Sequence, residues 1–135
     1  MLKSIFVYTG FVIGLINEQD DHHHEAQILA EHYEGYPFVT TDAILLEVGN
    51  ALAKRFKAQG AEIIHYFLNT PDTTVVHLNP LLFRRGLTLY ASHADKNWGL
   101  IDCVSFIVMR EMEIEDALTF DRHFSQAGFR CLSVE

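Results

Sequence analysis

Two periods alternate along the chain. Short apolar runs at residues 4–8, 37–40, 73–77, 117–120 and 130–134 read as strands, and runs of this kind suit strands buried on both faces. Between them lie segments with helical spacing. A short apolar helix is expected near residues 11–16, after Thr9 and Gly10 turn the chain. A second covers residues 21–33, capped by Asp20 or Asp21, with Ala26, Leu29, Ala30 and Tyr33 as its apolar stripe. Thr41 caps a long helix reaching about residue 59, with Leu45, Val48, Leu52 and Phe56 facing the core and Gly60 ending it. Further helices are expected at residues 61–68, at 80–91 behind Pro80, and at 101–112, the last apolar nearly all round. Strands interleaved with helices mark an α/β fold with a largely parallel sheet.

Composition narrows the class. With 135 residues the chain fits one domain, and 49% hydrophobic residues supply a core without staples. The net charge of −8 argues against a protein coated in basic charge, though not against a local basic groove. No apolar run reaches the ~18 residues of a membrane span, and the first twelve residues lack a cleavage pattern, so neither a span nor a signal peptide is read. Two cysteines, Cys103 and Cys131, suggest neither a disulfide framework nor a zinc site. A reduced cytoplasmic compartment is the expectation.

Three carboxylates sit in apolar settings. Glu47 lies beside the stripe of the long helix, Asp102 in the first turn of the most apolar helix, and Asp121 directly after the strand at residues 117–120. Each has a structural reading: Asp102 as a complement to a helix N-terminus, Asp121 as a cap for the turn that follows, Glu47 as a partner of nearby bases. Together, at strand ends where open α/β sheets form their ligand crevice, they suggest a shared site for a hard cation. Asp95, in the polar loop of residues 95–99, is a minor fourth candidate.

Four segments, residues 5–10 (IFVYTG), 40–52 (TTDAILLEVGNAL), 95–106 (DKNWGLIDCVSF) and 117–124 (ALTFDRHF), stand in this order over almost the whole chain. In this ordered set the chain resembles the PIN-domain family of VapC-type toxin ribonucleases. The resemblance implies a three-layer fold with a central, mostly parallel five-stranded sheet, and acids gathered at the strand ends. Carried over, these acids are Glu47, Asp102 and Asp121, which would hold Mg²⁺ or Mn²⁺, with Thr9 and Thr119 as hydroxyls beside the site. The implied activity is hydrolysis of single-stranded RNA by a toxin, with a cognate antitoxin and a homodimer as partners. One position departs. Tyr8 stands where the first acid is expected, and a phenol with a reference pKa of about 10 is a poor ligand for magnesium. Asp and Tyr codons differ by one base, so a native divergence and an inactivating change both fit.

For the RNA backbone, Arg122 is the leading phosphate contact because it adjoins Asp121. Lys54, Arg55, Lys57, Arg84 and Arg85 read as solvated charges. Consecutive helical side chains point about 100° apart, so His22, His23 and His24 cannot converge on one ion. His93 and His123 flank the site region. His123 is read either as an aid to proton transfer or as a structural hydrogen-bonding group, and Trp98 either as a base-stacking ring or as a core anchor. A catalytically inactive PIN-like module that binds RNA or protein is the competing function, supported by Tyr8. A phospho-receiver is set aside, lacking the acidic pair near strand one and the late lysine.

Overall fold

The computed structural model describes residues 1–134. Its centre is a five-stranded, all-parallel sheet in the order β3-β2-β1-β4-β5. The strands are β1 (Ile5–Val7), β2 (Phe38–Thr41), β3 (Thr73–Val76), β4 (Asp116–Leu118) and β5 (Arg130–Cys131). Around them pack α1 (Thr9–Ile16), α2 (His23–His32), α3 (Asp42–Leu52), α4 (Lys57–Asn69), α5 (Pro80–Ser92), α6 (Leu100–Glu111) and α7 (His123–Gln126). The central strands β1 and β4 are buried along their whole length. Their side chains join Val48 and Leu52 of α3 and Phe106 and Met109 of α6 in the core. None of the helices is long and apolar enough to cross a membrane among the described residues.

Local chemistry sets several boundaries as expected. Thr41 caps α3 by accepting a hydrogen bond from the Ile44 N–H at 3.1 Å. Asn79 does the same for Leu82 at 2.8 Å, with Pro80 in the first position of α5. The expected long helix is corrected. It ends at Leu52 and a separate α4 begins at Lys57, because Phe56 leaves helical geometry (φ −132°, ψ 37°). Gly60 therefore ends nothing: it lies inside α4, where an added Cβ would come within 3.3 Å of Leu52 Cβ. Its missing side chain lets α4 cross close over the end of α3. The cap of α2 differs too. Asp20 Oδ1 accepts from the His22 N–H at 2.9 Å, and His22 itself stands at the N-cap without a side-chain cap bond.

The strand order places the site. The chain steps outward from β1 through β2 to β3, then returns to lay β4 on the other side of β1. Adjacent strands whose connections leave in opposite directions open a crevice at their carboxyl ends. That switch point lies between β1 and β4, where Val7 pairs with Leu118 and the Tyr8 N–H donates to the Leu118 carbonyl at 3.1 Å.

Candidate active site

Three short segments deliver the site side chains. Tyr8 directly follows β1 and stands at the N-cap of α1. Asp102 is the third residue of α6, where its Oδ2 accepts from the Gly99 N–H at 2.9 Å. Charge near a helix start is favourable, which explains how a carboxylate only 5% exposed persists in the most buried helix. Asp121 follows β4 by three residues, not directly as the longer expected strand implied. Its Oδ1 accepts from the His123 N–H at 2.9 Å and its own N–H donates to Thr119 Oγ1 at 3.0 Å. Asp121 thus caps the turn that follows it, and its second oxygen, Oδ2, makes no hydrogen bond among the described residues.

The segments meet through hydrogen bonds. The Tyr8 hydroxyl donates to Asp102 Oδ1. His123 Nδ1 lies 2.8 Å from Asp102 Oδ2 and 3.2 Å from Asp121 Oδ1. Both neighbours are acceptors, so this nitrogen carries the proton and donates. Donor atoms of Asp102, Asp121 and His123 all lie within 4.8 Å of one another. Glu47 is outside that tight group. It is tied to the same end of the sheet by Thr9, whose Oγ1 donates to Glu47 Oε1 at 2.6 Å.

The Tyr8 phenol is held well above its ordinary pKa. Burial is the largest cause, followed by the hydrogen bond to Asp102 and the charges of Asp102, Glu47 and Asp121. The phenol is therefore a neutral donor, and it faces the site's negative charge with its O–H rather than adding to that charge. The ring meets Phe124 edge-on at 4.6 Å between centroids. Beside it opens a groove of about 430 Å³ lined by Tyr8, Gly10, Thr119, Phe120, Asp121, Arg122 and His123. Arg122 is exposed at its rim.

Other expected residues sit elsewhere. Asp95 is exposed, outside the cluster, and lies 3.8 Å from Lys96 Nζ, so it contributes no ligand to the group. Trp98 is a core anchor: it is 7% exposed, donates to Gln126 Oε1 at 3.0 Å and meets Phe106 edge-on. Arg85 pairs with Glu111, and Arg55 donates to Gln19 at 3.0 Å. His123, read from the sequence as either a proton-transfer aid or a structural hydrogen-bonding group, clamps the two acids. Asp116 carries no such mark in the sequence: a buried acid at the far end of β4, it is neutralised by a two-point pairing with Arg130 at 2.8 and 3.0 Å.

Comparison with known proteins bears on the family and the fold. The PIN domain profile matches residues 5–130. VapC20 of Mycobacterium tuberculosis, a 23S rRNA-specific endonuclease, is 30% identical over 127 residues, covering 93% of this chain and 95% of that protein, in both strains compared. The crystal structure of M. tuberculosis VapC20, described as a sarcin-ricin loop cleaving toxin, superposes with a TM-score of 0.84 at 28% identity, over 96% of this chain and 99% of that one. FitAcB from Neisseria gonorrhoeae shares the fold, with a TM-score of 0.65 at 11% identity over 96% of each chain. With the family model matching residues 5–130 and a relative 30% identical over 93% of this chain, the chain belongs to the PIN domain family.

Proposed function

We propose that this chain is a divalent-metal-dependent endoribonuclease of the toxin type, acting on single-stranded RNA, with its activity lowered by Tyr8. The observation that carries the reading is the convergence of Asp102 and Asp121 at the β1/β4 switch point, with donor atoms within 4.8 Å, beside an open groove. An oxygen-rich set of this kind fits a hard cation. Asp102, Asp121 and Glu47 would hold it, one anionic ligand short of the family's four. When bound, Mg²⁺ or Mn²⁺ supplies Lewis-acid polarisation of the scissile phosphate and a water of lowered pKa.

The protein groups divide the remaining work. Asp102 accepts hydrogen bonds at both oxygens, which suits it to a fixed anchoring role. Asp121 is half-buried and its Oδ2 makes no hydrogen bond among the described residues, so it is the carboxylate placed to orient the attacking water and take its proton. His123 holds the two acids in one arrangement. Arg122, on the rim, contacts the RNA phosphate.

The relative VapC20 makes a hairpin carrying the sarcin-ricin loop of 23S rRNA the first substrate to test. The Tyr8→Asp form is expected to cleave it with Mn²⁺, the chain with Tyr8 to cleave it more slowly, and both to stop in EDTA. Cleavage that persists in excess EDTA, or survives Asp121→Asn, overturns the mechanism. A second reading, an inactive module that binds RNA or protein, is favoured by the Tyr8–Asp102 hydrogen bond. It predicts binding without cleavage in both forms.

Partners follow the same reading. The apolar groove between α1, α2 and α4, lined by Phe11, Leu15, Ile63 and Phe67, suits an antitoxin segment. Exposed Phe83, Leu87 and Tyr90, spaced along one side of α5, suit a homodimer contact, checked by light scattering. Its place of action is the cytoplasm, in keeping with an RNA substrate and two free cysteines.

A further inference from the structure

The run His22-His23-His24 is unsuited to a metal, yet the fold gives its first member an unusual position. His22 occupies the N-cap of α2, a place favoured by Ser, Thr, Asp and Asn, and makes no cap bond there. Its imidazole instead lies flat on the Phe120 ring, with centroids 4.2 Å apart and planes 8° from parallel. Phe120 in turn meets Phe11, a core side chain, at 6.0 Å. The three rings form a column that starts in the core and ends in water, since the His22 side chain keeps 50% of its exposure. One face of the imidazole rests on Phe120 and the other carries no ring partner.

The column stands beside the acids. Phe120 is covalently adjacent to Asp121 and lines the same groove as Tyr8, Arg122 and His123. The groove volume of about 430 Å³ falls in the range of roughly 300–1,000 Å³ typical of small-molecule sites, large enough for a nucleotide. Arg122 and Phe120, the ring that carries His22, flank Asp121 in sequence and line the groove with it, so a phosphate at the acid cluster would lie near both a cation and the aromatic column. Single-stranded nucleic acids are held by this combination of backbone charge and stacking rings. Gly10, also on the groove wall, leaves space open: a Cβ there would meet nothing within 4 Å.

We infer that His22, supported from beneath by Phe120, is a positioning residue whose outer face stacks on the nucleobase next to the bond to be cleaved. The inference rests on the ribonuclease reading and adds to it a base-binding subsite. Stacking tolerates any base, so this subsite contributes affinity and register rather than hydrogen-bonded sequence readout. It selects unpaired RNA, because a paired base has no free face to offer.

The test uses the full chain and a short 2′-O-methyl RNA, uncleavable and single-stranded, carrying one 2-aminopurine. Binding is followed by anisotropy and stacking by quenching of the 2-aminopurine, with Mn²⁺ present. His22→Ala is expected to lose roughly 5- to 100-fold in affinity together with the quench. His22→Tyr, which keeps a flat ring and drops the imidazole, is expected to restore both. His22 is exposed, so both variants should melt at the temperature of the unmodified chain. As a second probe, Gly10→Leu projects a side chain from the groove wall, where an added Cβ meets nothing within 4 Å, and should also weaken binding. Unchanged affinity and quench in His22→Ala, with normal RNA binding by the unmodified chain, overturns the subsite and leaves the ribonuclease reading standing. Failure of the unmodified chain and of its Tyr8→Asp form to bind RNA at all overturns both.

Discussion

Replacing Tyr8 by Asp tests the chemistry of the site most directly. In the metal-free protein the change is destabilising on two counts. It removes a ring that is 9% exposed and packed on Phe124, and truncating a buried aromatic costs about 3–5 kcal/mol. It also exchanges a neutral donor to Asp102 for a second carboxylate. Two such charges about 4 Å apart repel by about 4 kcal/mol at an effective dielectric near 20. Proton uptake by one of the pair limits that cost near neutral pH, so the two penalties do not simply add. Against a total stability of about 5–15 kcal/mol, the metal-free variant is expected to melt far below the chain with Tyr8. A divalent ion reverses the sign of the second effect. At a concentration of 100 times its dissociation constant, a ligand specific to the folded state adds about 2.7 kcal/mol, or roughly 10 °C for a domain of this size. Thermal melts across a Mn²⁺ titration, with Ca²⁺ and EDTA in parallel, should show a large rise for Tyr8→Asp and a small one with Tyr8 in place. Equal rises in the two proteins would mean that position 8 contributes no ligand. No rise in either would remove the metal site from the account.

Three further outcomes are expected. Below about pH 10 the Tyr8 phenol is protonated in both folded and unfolded chains; above it only the unfolded phenol ionises, because burial and the neighbouring acids hold the folded value up. Stability should therefore fall by about 1.4 kcal/mol per pH unit above that point, and urea melts of Tyr8→Phe should lack this component of the slope. Gly86→Ala should destabilise by about 1–3 kcal/mol, since the new methyl meets Val104 Cγ2 at 2.6 Å and Val104 backbone at 3.3 Å where α5 crosses α6. Gly10→Ala serves as the unstrained control, and equal melting of the two variants would refute the close crossing. Arg122→Ala should weaken single-stranded RNA binding and lower the salt slope by about 0.7, with no change in melting temperature; an unchanged slope would remove Arg122 from the phosphate path.

Much was legible in the sequence for reasons that act over a few residues. Apolar periodicity marked every strand and most helices. The hydroxyl of Thr41 and the ring of Pro80 set helix starts through groups in the adjoining turn. The gap between α3 and α4 leaves no mark in the sequence, because Leu45, Val48, Leu52 and Phe56 keep helical spacing straight through the break. Gly60 looks like a stop signal in sequence because its role, a close approach to Leu52, belongs to helix packing and leaves no local trace.

The candidate site divides in the same way. Carboxylates in apolar settings are costly unless compensated, so Asp102, Asp121 and Glu47 stood out from the sequence, as did Tyr8 against the family pattern. What compensates them is set by the path of the chain. The Tyr8 hydroxyl reaches an acid 94 positions away, and the strand order brings them together. The same folding put His123 between two acids, laid His22 on Phe120, sent Trp98 into the core and left Asp95 at the surface. Residue type and spacing determined which groups were chemically expensive. Only the tertiary structure decided which of them share a hydrogen bond, because side chains interact over a few ångströms and sequence separation says nothing of that distance.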